Sequence, residues 1–514
     1  MTRTTERLPG PSLTARQRGT LIVSCLAVAL VVASMAALYA ALPDIAVSTG
    51  ATQEQQTWVV DGYSLALACL VLSGGALGDR YGRRGALFAG LLVFCAGSAI
   101  PLLARDPGWL IAARVVSGIG AALVMPSTLS ILTGGFPQEQ WSRAVGIWAG
   151  VVSVGALIGL LGSGLVLQVS SWTTIFAALT VAGAVLAVAA PTVPESREHE
   201  RPRMDVVGAV VSAVAIGLFT GGVTEAPDRG WLSPVTLGLL IAGVLAAVAF
   251  AVLELRSDHP LLPVRLFGDR AFAAGAVSLT VQYLASFGLF LLIQQYLQLI
   301  LGYAAVRAAI SVAPMAVPLL PLLPLCVLAP RLTARLGLRA MTASGLAVLA
   351  AGLFLVSRLG VGSTYVSVLW PVLTVGAGLG LCTAPATSAI ITSTPAAKHG
   401  VASAVNDATR EIGAAIGLAI AGSVLAAGYR SKIGPALPGL PEQVRGPVSQ
   451  SLAAALAVAG RGGPGAPRSR TSPGLPSPTA FSRRRWHWPW SRPRARWRHW
   501  PLPARFGRKA KPSD

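Results

Sequence analysis

The chain has 514 residues, of which 53% are hydrophobic and only 12% are charged, and its mean hydropathy is +0.64. Soluble chains are about one quarter charged, so this composition excludes an ordinary soluble protein and indicates one that lies in a membrane. The net charge of +21 is concentrated at one end, because the tail 461–514 holds 14 of the 41 basic residues and a single acidic residue.

Apolar runs follow one another along the chain, and each is roughly 18–25 residues long, enough to cross about 30 Å of hydrocarbon as a helix. We predict thirteen spans and number them in chain order. They lie near residues 20–41, 57–77, 85–104, 109–132, 142–166, 172–190, 205–224, 234–254, 271–299, 307–328, 339–357, 365–391 and 402–427.

The basic residues of the connecting segments predict the orientation of the chain. With the N-terminus inside, 18 of them fall in inner segments and 7 in outer segments before the tail. This bias follows the positive-inside rule and predicts a multi-pass plasma-membrane protein with a cytoplasmic N-terminus. The first apolar run is long and lacks a convincing cleavage site, so we expect it to remain as span 1.

Two stretches of the sequence recur at nearly the same offset. "GALGDRYGRR" (75–84) is echoed 255 positions later by "PRLTARLGLR" (330–339), and "GALIGLLGSG" (155–164) is echoed 258 positions later by "GAAIGLAIAG" (413–422). The repeat predicts two homologous halves with two spans inserted between them and no partner for span 6.

From this register we predict six segments. They are a cytoplasmic N-terminal segment (1–19), an N-terminal half with spans 1–6 (20–190), a linker with two inserted spans (191–255), a C-terminal half with spans 9–13 (256–428), an outer loop (429–460) and a basic Arg/Pro/Trp-rich tail (461–514).

The loop after span 2 contains Asp79, Arg80, Gly82 and Arg83 within the pattern G-x-L-x-D-R-x-G-R-R. The Asp79 carboxylate can pair with an arginine or cap a helix N-terminus, and Gly82 permits a tight turn. The alternative is a cluster that only obeys the positive-inside rule.

Several stretches together resemble one family. They are the loop just described, "TWVVDGYSLALACL" (57–70), "RVVSGIGAALVMPSTLSIL" (114–132), "QYLQLILGYAAVRAAISVAPMA" (295–316) and "GVASAVNDATREIGAAIGLAIAGSVL" (400–425). The chain resembles the fourteen-span drug/proton antiporter branch of the major facilitator superfamily over about residues 20–460. The resemblance implies an all-α membrane fold of two six-helix halves with two inserted helices. Because the resemblance stops one span short, we expect the last helix to be missing or replaced.

Four charged residues inside spans are candidates for proton coupling: Asp61, Arg114, Asp407 and Glu411. A lone cation in hydrocarbon costs at least about 2.5–3.5 kcal/mol, so we expect Arg114 to face the bundle interior and find an acidic partner. In the resembling family this arginine is linked to proton transfer. The alternatives are snorkelling of Arg114, a solvated Asp61 at the span mouth, and a purely structural charge cluster around Asp407 and Glu411.

Span 5 places Gly155 and Gly159 four residues apart, with Gly164 following, and small residues on one face let helices approach closely. The motif resembles that of antiporters, although the family's Pro after the second Gly is Leu160 here. Span 1 also departs from the family, because Ser34 occupies the position of a common Asp.

We expect a substrate site between the two halves, with Tyr39, Gln294, Gln295, Tyr296 and Asn406 as candidate lining residues. They could equally be interhelical hydrogen-bonding residues. No GxxxxGK[ST] loop and no CxxC pair occur, so we expect no ATP-driven pumping, no cofactor, no metal site and no enzymatic activity. All five histidines are expected in loops or the tail.

These features predict a proton-coupled exporter of small amphipathic compounds that works by alternating access between its halves. Its expected partners are a small-molecule substrate, protons and the lipid bilayer, and we expect a monomer. The alternatives are a proton-coupled importer, a transporter impaired by loss of its last helix, and a binding protein that uses the tail on anionic lipid or nucleic acid. We expect no nucleic-acid partner, because a tail without Val, Ile or Glu points to a frameshift in place of span 14.

Overall fold

The computed structural model describes residues 14–439 apart from 52, 196–204, 304, 316–323 and 361, together with 445 and 449. All regular secondary structure in this part of the chain is helical. The helices are α1 (Ala15–Thr49), α2 (Gln53–Tyr81), α3 (Arg83–Leu103), α4 (Pro107–Gly135), α5 (Gln138–Val169), α6 (Trp172–Ala189), α7 (Val206–Arg229), α8 (Pro234–Arg256), α9 (Arg270–Gln295), α10 (Ala305–Val312), α11 (Pro324–Val356), α12 (Tyr365–Thr392) and α13 (His399–Ile433).

Local sequence signals set where several of these helices begin. At the start of α1, Thr14 and Gln17 form a reciprocal capping box. Asp106 caps α4 just before Pro107, which fits the first helical turn because proline has no N–H to leave unsatisfied. At α9 the exposed Asp269 accepts hydrogen bonds from the backbone N–H groups of Ala271 and Phe272, and these bonds hold the pKa of its carboxyl below the usual value.

Twelve helices of the described residues are long and apolar enough to cross a membrane. The predicted all-α membrane fold is therefore confirmed, and the chain is a multi-pass membrane protein. Predicted span 10 is not among the twelve, because residues 316–323 within it lie outside the described part of the chain. The tail 461–514, residues 1–13 and most of the predicted outer loop also lie outside it, so those predictions remain untested.

The repeat seen in the sequence reappears in helix packing. α5 packs on α1, and a Cβ atom at Gly159 would lie 2.2 Å from the Ala33 carbonyl oxygen. α13 packs on α9 in the same way, and a Cβ at Gly417, which is 258 positions after Gly159, would lie 2.1 Å from the Leu284 carbonyl oxygen. Equivalent glycines therefore bring equivalent helix backbones into contact in both halves.

The inserted helices sit differently from each other. α7 packs against α2 of the first half and α13 of the second, as well as against α8. Only 17% of the most apolar stretch of α8 is buried, so most of the surface of this helix faces outward. One inserted helix thus bridges the halves, whereas the other lies at the periphery.

Glycines with positive φ terminate two helices at equivalent places in the repeat. Gly82 separates α2 from α3 with a φ of 111°, and Gly337 breaks α11 with a φ of 81°. Residues other than glycine rarely adopt this conformation, so the glycine of each copy makes the turn possible.

Candidate functional site

The loop between α2 and α3 connects one end of the first half to the second half, on the side that the sequence predicts to be cytoplasmic. The Asp79 carboxylate accepts hydrogen bonds from the backbone N–H groups of Gly400 (3.0 Å) and Val401 (3.1 Å) at the start of α13. It also forms a 2.7 Å ion pair with Arg83. Asp79 therefore both caps a helix N-terminus and pairs with an arginine, which are the two interactions that the sequence allows for it.

Arg83 extends this contact across the interface. Its guanidinium donates to the Ala396 carbonyl oxygen before α13 (2.9 Å) and to the Ser130 carbonyl oxygen of α4 (3.2 Å). Arg83 and Asp79 are both buried. Together with Gly400 and Val401 they form what we call the inner lock.

The remaining residues of the loop lie around the inner lock. Gly82 provides the turn, and a Cβ there would also collide with Glu195, whose Oε1 lies 2.7 Å from that position. Glu195 forms a half-exposed ion pair with Arg84 at 3.4 Å. The Arg80 guanidinium lies over the Tyr81 ring, 5.1 Å from its centroid.

His399 differs from the sequence-based expectation of a loop position. It is the first residue of α13 and is fully buried, with its ring edge-to-face against Trp141 at 5.0 Å between centroids. The hydropathy pattern missed it because α13 begins three residues before the apolar run.

Arg114 is buried inside the first half, as expected, but its partners are neutral. Its Nε donates to the Val59 carbonyl oxygen (3.1 Å), its Nη1 donates to Ser34 Oγ (3.0 Å), and the guanidinium stacks on the Tyr63 ring at 4.1 Å. No carboxylate of the described residues lies within 4.0 Å of it. The expected acidic partner was wrong, because the facing position on α1 is Ser34.

Three further site candidates come together around Tyr39, which neighbours this arginine. Tyr39, which is 46% exposed, is close enough to Asp61, Arg114 and Glu411 for each to act on it electrostatically. Asp61 and Glu411 are both half-buried. The structure thus brings residues of α1, α2, α4 and α13 into one group, which we call the outer charge group.

A second, more fully buried polar group lies on α13. Thr387 donates to the Asn406 side-chain oxygen (2.9 Å), and the Asn406 amide donates to Asp407 Oδ1 (3.1 Å). Asn406 and Asp407 are fully buried. Asn406 is therefore an interhelical hydrogen-bonding residue, which is the alternative that the sequence left open for it.

Arg410 lies one helical turn beyond Asp407 and is enclosed by aromatic rings. Its guanidinium is 4.9 Å from the ring centroid of Trp148 on α5 and 5.2 Å from that of Tyr283 on α9. The Trp148 indole N–H donates to Thr128 Oγ1 at 3.0 Å, which fixes the ring. Trp148 belongs to the first half and Tyr283 to the second, so Arg410 lies at the interface of the halves.

The three other cavity candidates do not join these groups. Gln294 and Gln295 end α9, and Tyr296 begins the π-helical turn after it. The Tyr296 hydroxyl donates to the Gly360 carbonyl oxygen in the loop between α11 and α12 (2.7 Å). These residues therefore lie at one end of the bundle rather than midway along it.

The span 5 motif lies on the face of α5 that meets α1. A Cβ at Gly155 would approach Ala29 Cα at 3.1 Å, and Gly159 has the closer contact described above. Gly164 is buried further along α5. α5 runs from Gln138 to Val169 without a break, in keeping with Leu160 in place of a proline.

Sequence reasoning missed Tyr63, Trp148 and Tyr283. Each is an aromatic residue inside a span made mostly of Ala, Val, Leu and Gly, and each stacks on a buried arginine. A search for aromatic residues that could face Arg114 and Arg410 would have found these candidates.

Long apolar helices arranged as two repeats, with charged side chains buried at their interface, define a polytopic membrane transport protein. The chain belongs to the Major Facilitator Superfamily, because the sequence model of that family matches residues 24–418. This confirms the resemblance inferred from the motifs.

Curated relatives with export or resistance names match most of the chain. The multidrug resistance protein Stp of Mycobacterium tuberculosis is 32% identical over 81% of this chain and 78% of its own length. The cephamycin export protein CmcT of Amycolatopsis lactamdurans is 32% identical, covering 81% and 87%. The multidrug efflux pump LfrA of Mycolicibacterium smegmatis is 31% identical, covering 85% and 86%.

Solved structures share the fold at low sequence identity. The human organic anion transporter MFSD10 aligns with a TM-score of 0.55 and 14% identity over 79% of this chain and 93% of its own. The proton:xylose symporter XylE aligns with a TM-score of 0.52 and 17% identity over 81% and 96%.

Proposed function

We propose that this protein is a proton-coupled efflux transporter that exports small amphipathic compounds across the plasma membrane by alternating access. The observation that carries the proposal is the match to relatives named for multidrug resistance, efflux and antibiotic export over more than three quarters of the chain. The proposed monomer has a cytoplasmic N-terminus, which the basic inner loops support.

The inner lock supports assigning the described conformation to the state closed toward the cytoplasm. Asp79 and Arg83 tie the inner end of α2 to the start of α13, so a path between the halves is closed on that side. Opening toward the cytoplasm requires these contacts to break. Hydrogen bonds to charged groups contribute about 1.5–3 kcal/mol each, so the lock can appreciably favour the state closed toward the cytoplasm over the state open toward it.

The outer charge group supports proton coupling. Asp61 and Glu411 lie close to Tyr39, which is accessible, and no cation of the described residues pairs with either carboxylate within 4.0 Å. A partly buried carboxylate that is not held in an ion pair can take up a proton from one side of the membrane and release it to the other. A cationic substrate and a proton would compete for such a carboxylate. Because only one of them can be bound at a time, the transporter would exchange substrate for protons across the membrane.

Asp407, Arg114 and the glycines of α5 have supporting roles in this proposal. Asp407 is a second proton site at the interface of the halves. Arg114 fixes α1 and α2 relative to α4 through Ser34 and Val59. Gly155 and Gly159 let the backbone of α5 lie directly against α1, and Gly164 is a further small buried residue of the same helix.

The test uses the purified full chain in proteoliposomes that contain a pH-sensitive dye, with ethidium as the probe compound. We expect ethidium movement to be accompanied by proton movement in the opposite direction, and D61N and E411Q to reduce both at least tenfold. E225Q is the matched control, because Glu225 pairs with Arg229 on the exposed end of α7. Unchanged exchange in both D61N and E411Q would remove the proton-coupling assignment, and movement of ethidium and protons in the same direction would identify a symporter.

A further inference from the structure

An acidic and a basic side chain lie buried side by side on α13 without forming an ion pair. Asp407 and Arg410 are three residues apart, hence on one helical face, and both are at most 2% exposed. No ion pair joins them within 4.0 Å in the described part of the chain. Asp407 Oδ2, Arg410 Nε and Arg410 Nη1 have no hydrogen-bond partner.

This arrangement is costly, because a buried charge without a partner loses its hydration and gains nothing in return. The guanidinium is instead held between the rings of Trp148 and Tyr283, with one weak hydrogen bond to Thr387 at 3.4 Å. Tyr283 is on α9, which packs along α13 within the same half. Trp148 is on α5 of the opposite half, so it is the partner that a separation of the halves would remove.

We infer that Trp148 is a positioning residue that keeps Arg410 away from Asp407 while the inner side is closed, and thereby controls when Asp407 releases a proton. With the halves together, Asp407 has no cation within contact and retains the proton. When the halves part on the inner side, Trp148 withdraws and Arg410 turns to Asp407. The Asp407 O–H bond then breaks, the carboxylate pairs with Arg410, and the proton passes to water in the opened cavity.

The other ionisable groups around Asp407 do not replace Arg410 in this role. Glu411 on α13 and Tyr283 on α9 interact with it electrostatically, and Cys382 of α12 lies near Tyr283. On α2 and α4, Asp61 and Arg114 act on Tyr39, whereas Asp79 caps the start of α13. On α7, Glu225 and Arg229 pair with each other. Arg410 is therefore the cation placed to stabilise the Asp407 carboxylate when the proton passes to water.

The inference rests on the proposed proton coupling, and its test needs no substrate. The protonation of Asp407 is followed by infrared spectroscopy of the reconstituted full chain, as the carboxylic acid C=O band that D407N removes. We expect W148L to move the midpoint of this band to lower pH by about 1–3 units, because an opposite charge within contact favours the carboxylate by that amount. W148F should remain near wild type, because a phenyl ring still offers a face to the guanidinium.

W172L is the matched control. Trp172 is another buried tryptophan whose indole N–H donates to a hydroxyl, that of Ser48, and no arginine among the described residues stacks on it. Its substitution should leave the Asp407 midpoint in place. An unchanged midpoint in W148L, or a D407N spectrum that loses no band, would overturn the inference. Absence of proton movement with ethidium in wild-type proteoliposomes, together with the expected infrared shift, would instead overturn the proposed exchange and retain the role of Trp148.

Discussion

The close contact between α5 and α1 makes Gly159→Ala a sharp test of the packing. The added Cβ would lie 2.2 Å from the Ala33 carbonyl oxygen and 2.6 Å from Ala33 Cα. Ordinary C···O contacts lie at about 3.3–3.6 Å, so the two helices must separate by about 1 Å. Because both atoms belong to the backbone of α1, no side chain can rotate away. Overpacking of this kind costs about 1–3 kcal/mol.

Gly162→Ala is the control on the same helix, since a Cβ there meets nothing within 4 Å. Each variant is purified in detergent, and its apparent melting temperature is measured from the loss of the monodisperse peak in size-exclusion chromatography. We expect G159A to melt well below wild type and G162A to melt at or slightly above it, because alanine is the better helix former. Equal melting temperatures for the two variants would refute the close approach of α5 and α1.

Three more substitutions probe features described above. D79N should weaken the inner lock by about 1.5–3 kcal/mol, because it removes the charge that Arg83 and the start of α13 share. A single cysteine on the inner side of the bundle should therefore be labelled faster in D79N than in the wild type. Slower labelling would contradict the lock. S34D places a carboxylate beside Arg114. It should have a higher melting temperature than S34N, whose side chain has the same size but no charge. Equal melting temperatures would mean that Arg114 already has an anionic partner. G337A should destabilise by about 1–2 kcal/mol through its positive φ, whereas G85A, which meets nothing, should be neutral in the same melting assay.

Hydropathy and charge were enough to predict the all-α membrane fold, and two short echoes in the sequence were enough to predict its repeat. Both signals are local, since a span is recognised by its own length and a loop by its own arginines. The helix ends were less predictable. α1 extends to Thr49 and α13 begins at His399, because polar residues continue a helix beyond the hydrocarbon without changing the hydropathy signal.

The sequence predicted which residues belong to the site better than it predicted which residues contact one another there. Asp61, Arg114 and Glu411 do share one neighbourhood around Tyr39. The partner of Arg114 was not predictable, because a periodicity tells which face of a helix is polar but not which neighbouring helix meets that face. The enclosure of Arg410 by Trp148 and Tyr283 depends on residues more than 100 positions away along the chain, so no local pattern contains it.

The sequence carries the acidic and basic residues of the inner lock in only one copy of the repeat. The position equivalent to Asp79 in the second copy is Ala334, and the one equivalent to Arg83 is Leu338, although Gly337 still matches Gly82. If the second copy carried an equivalent lock, both locks would have to break at the same time before the inner side could open. Opening would then be a rare event. In the proposed transport cycle, a single lock has to break only once for that side to open. A single substitution at Asp79 should therefore be enough to change the rate of the proposed cycle.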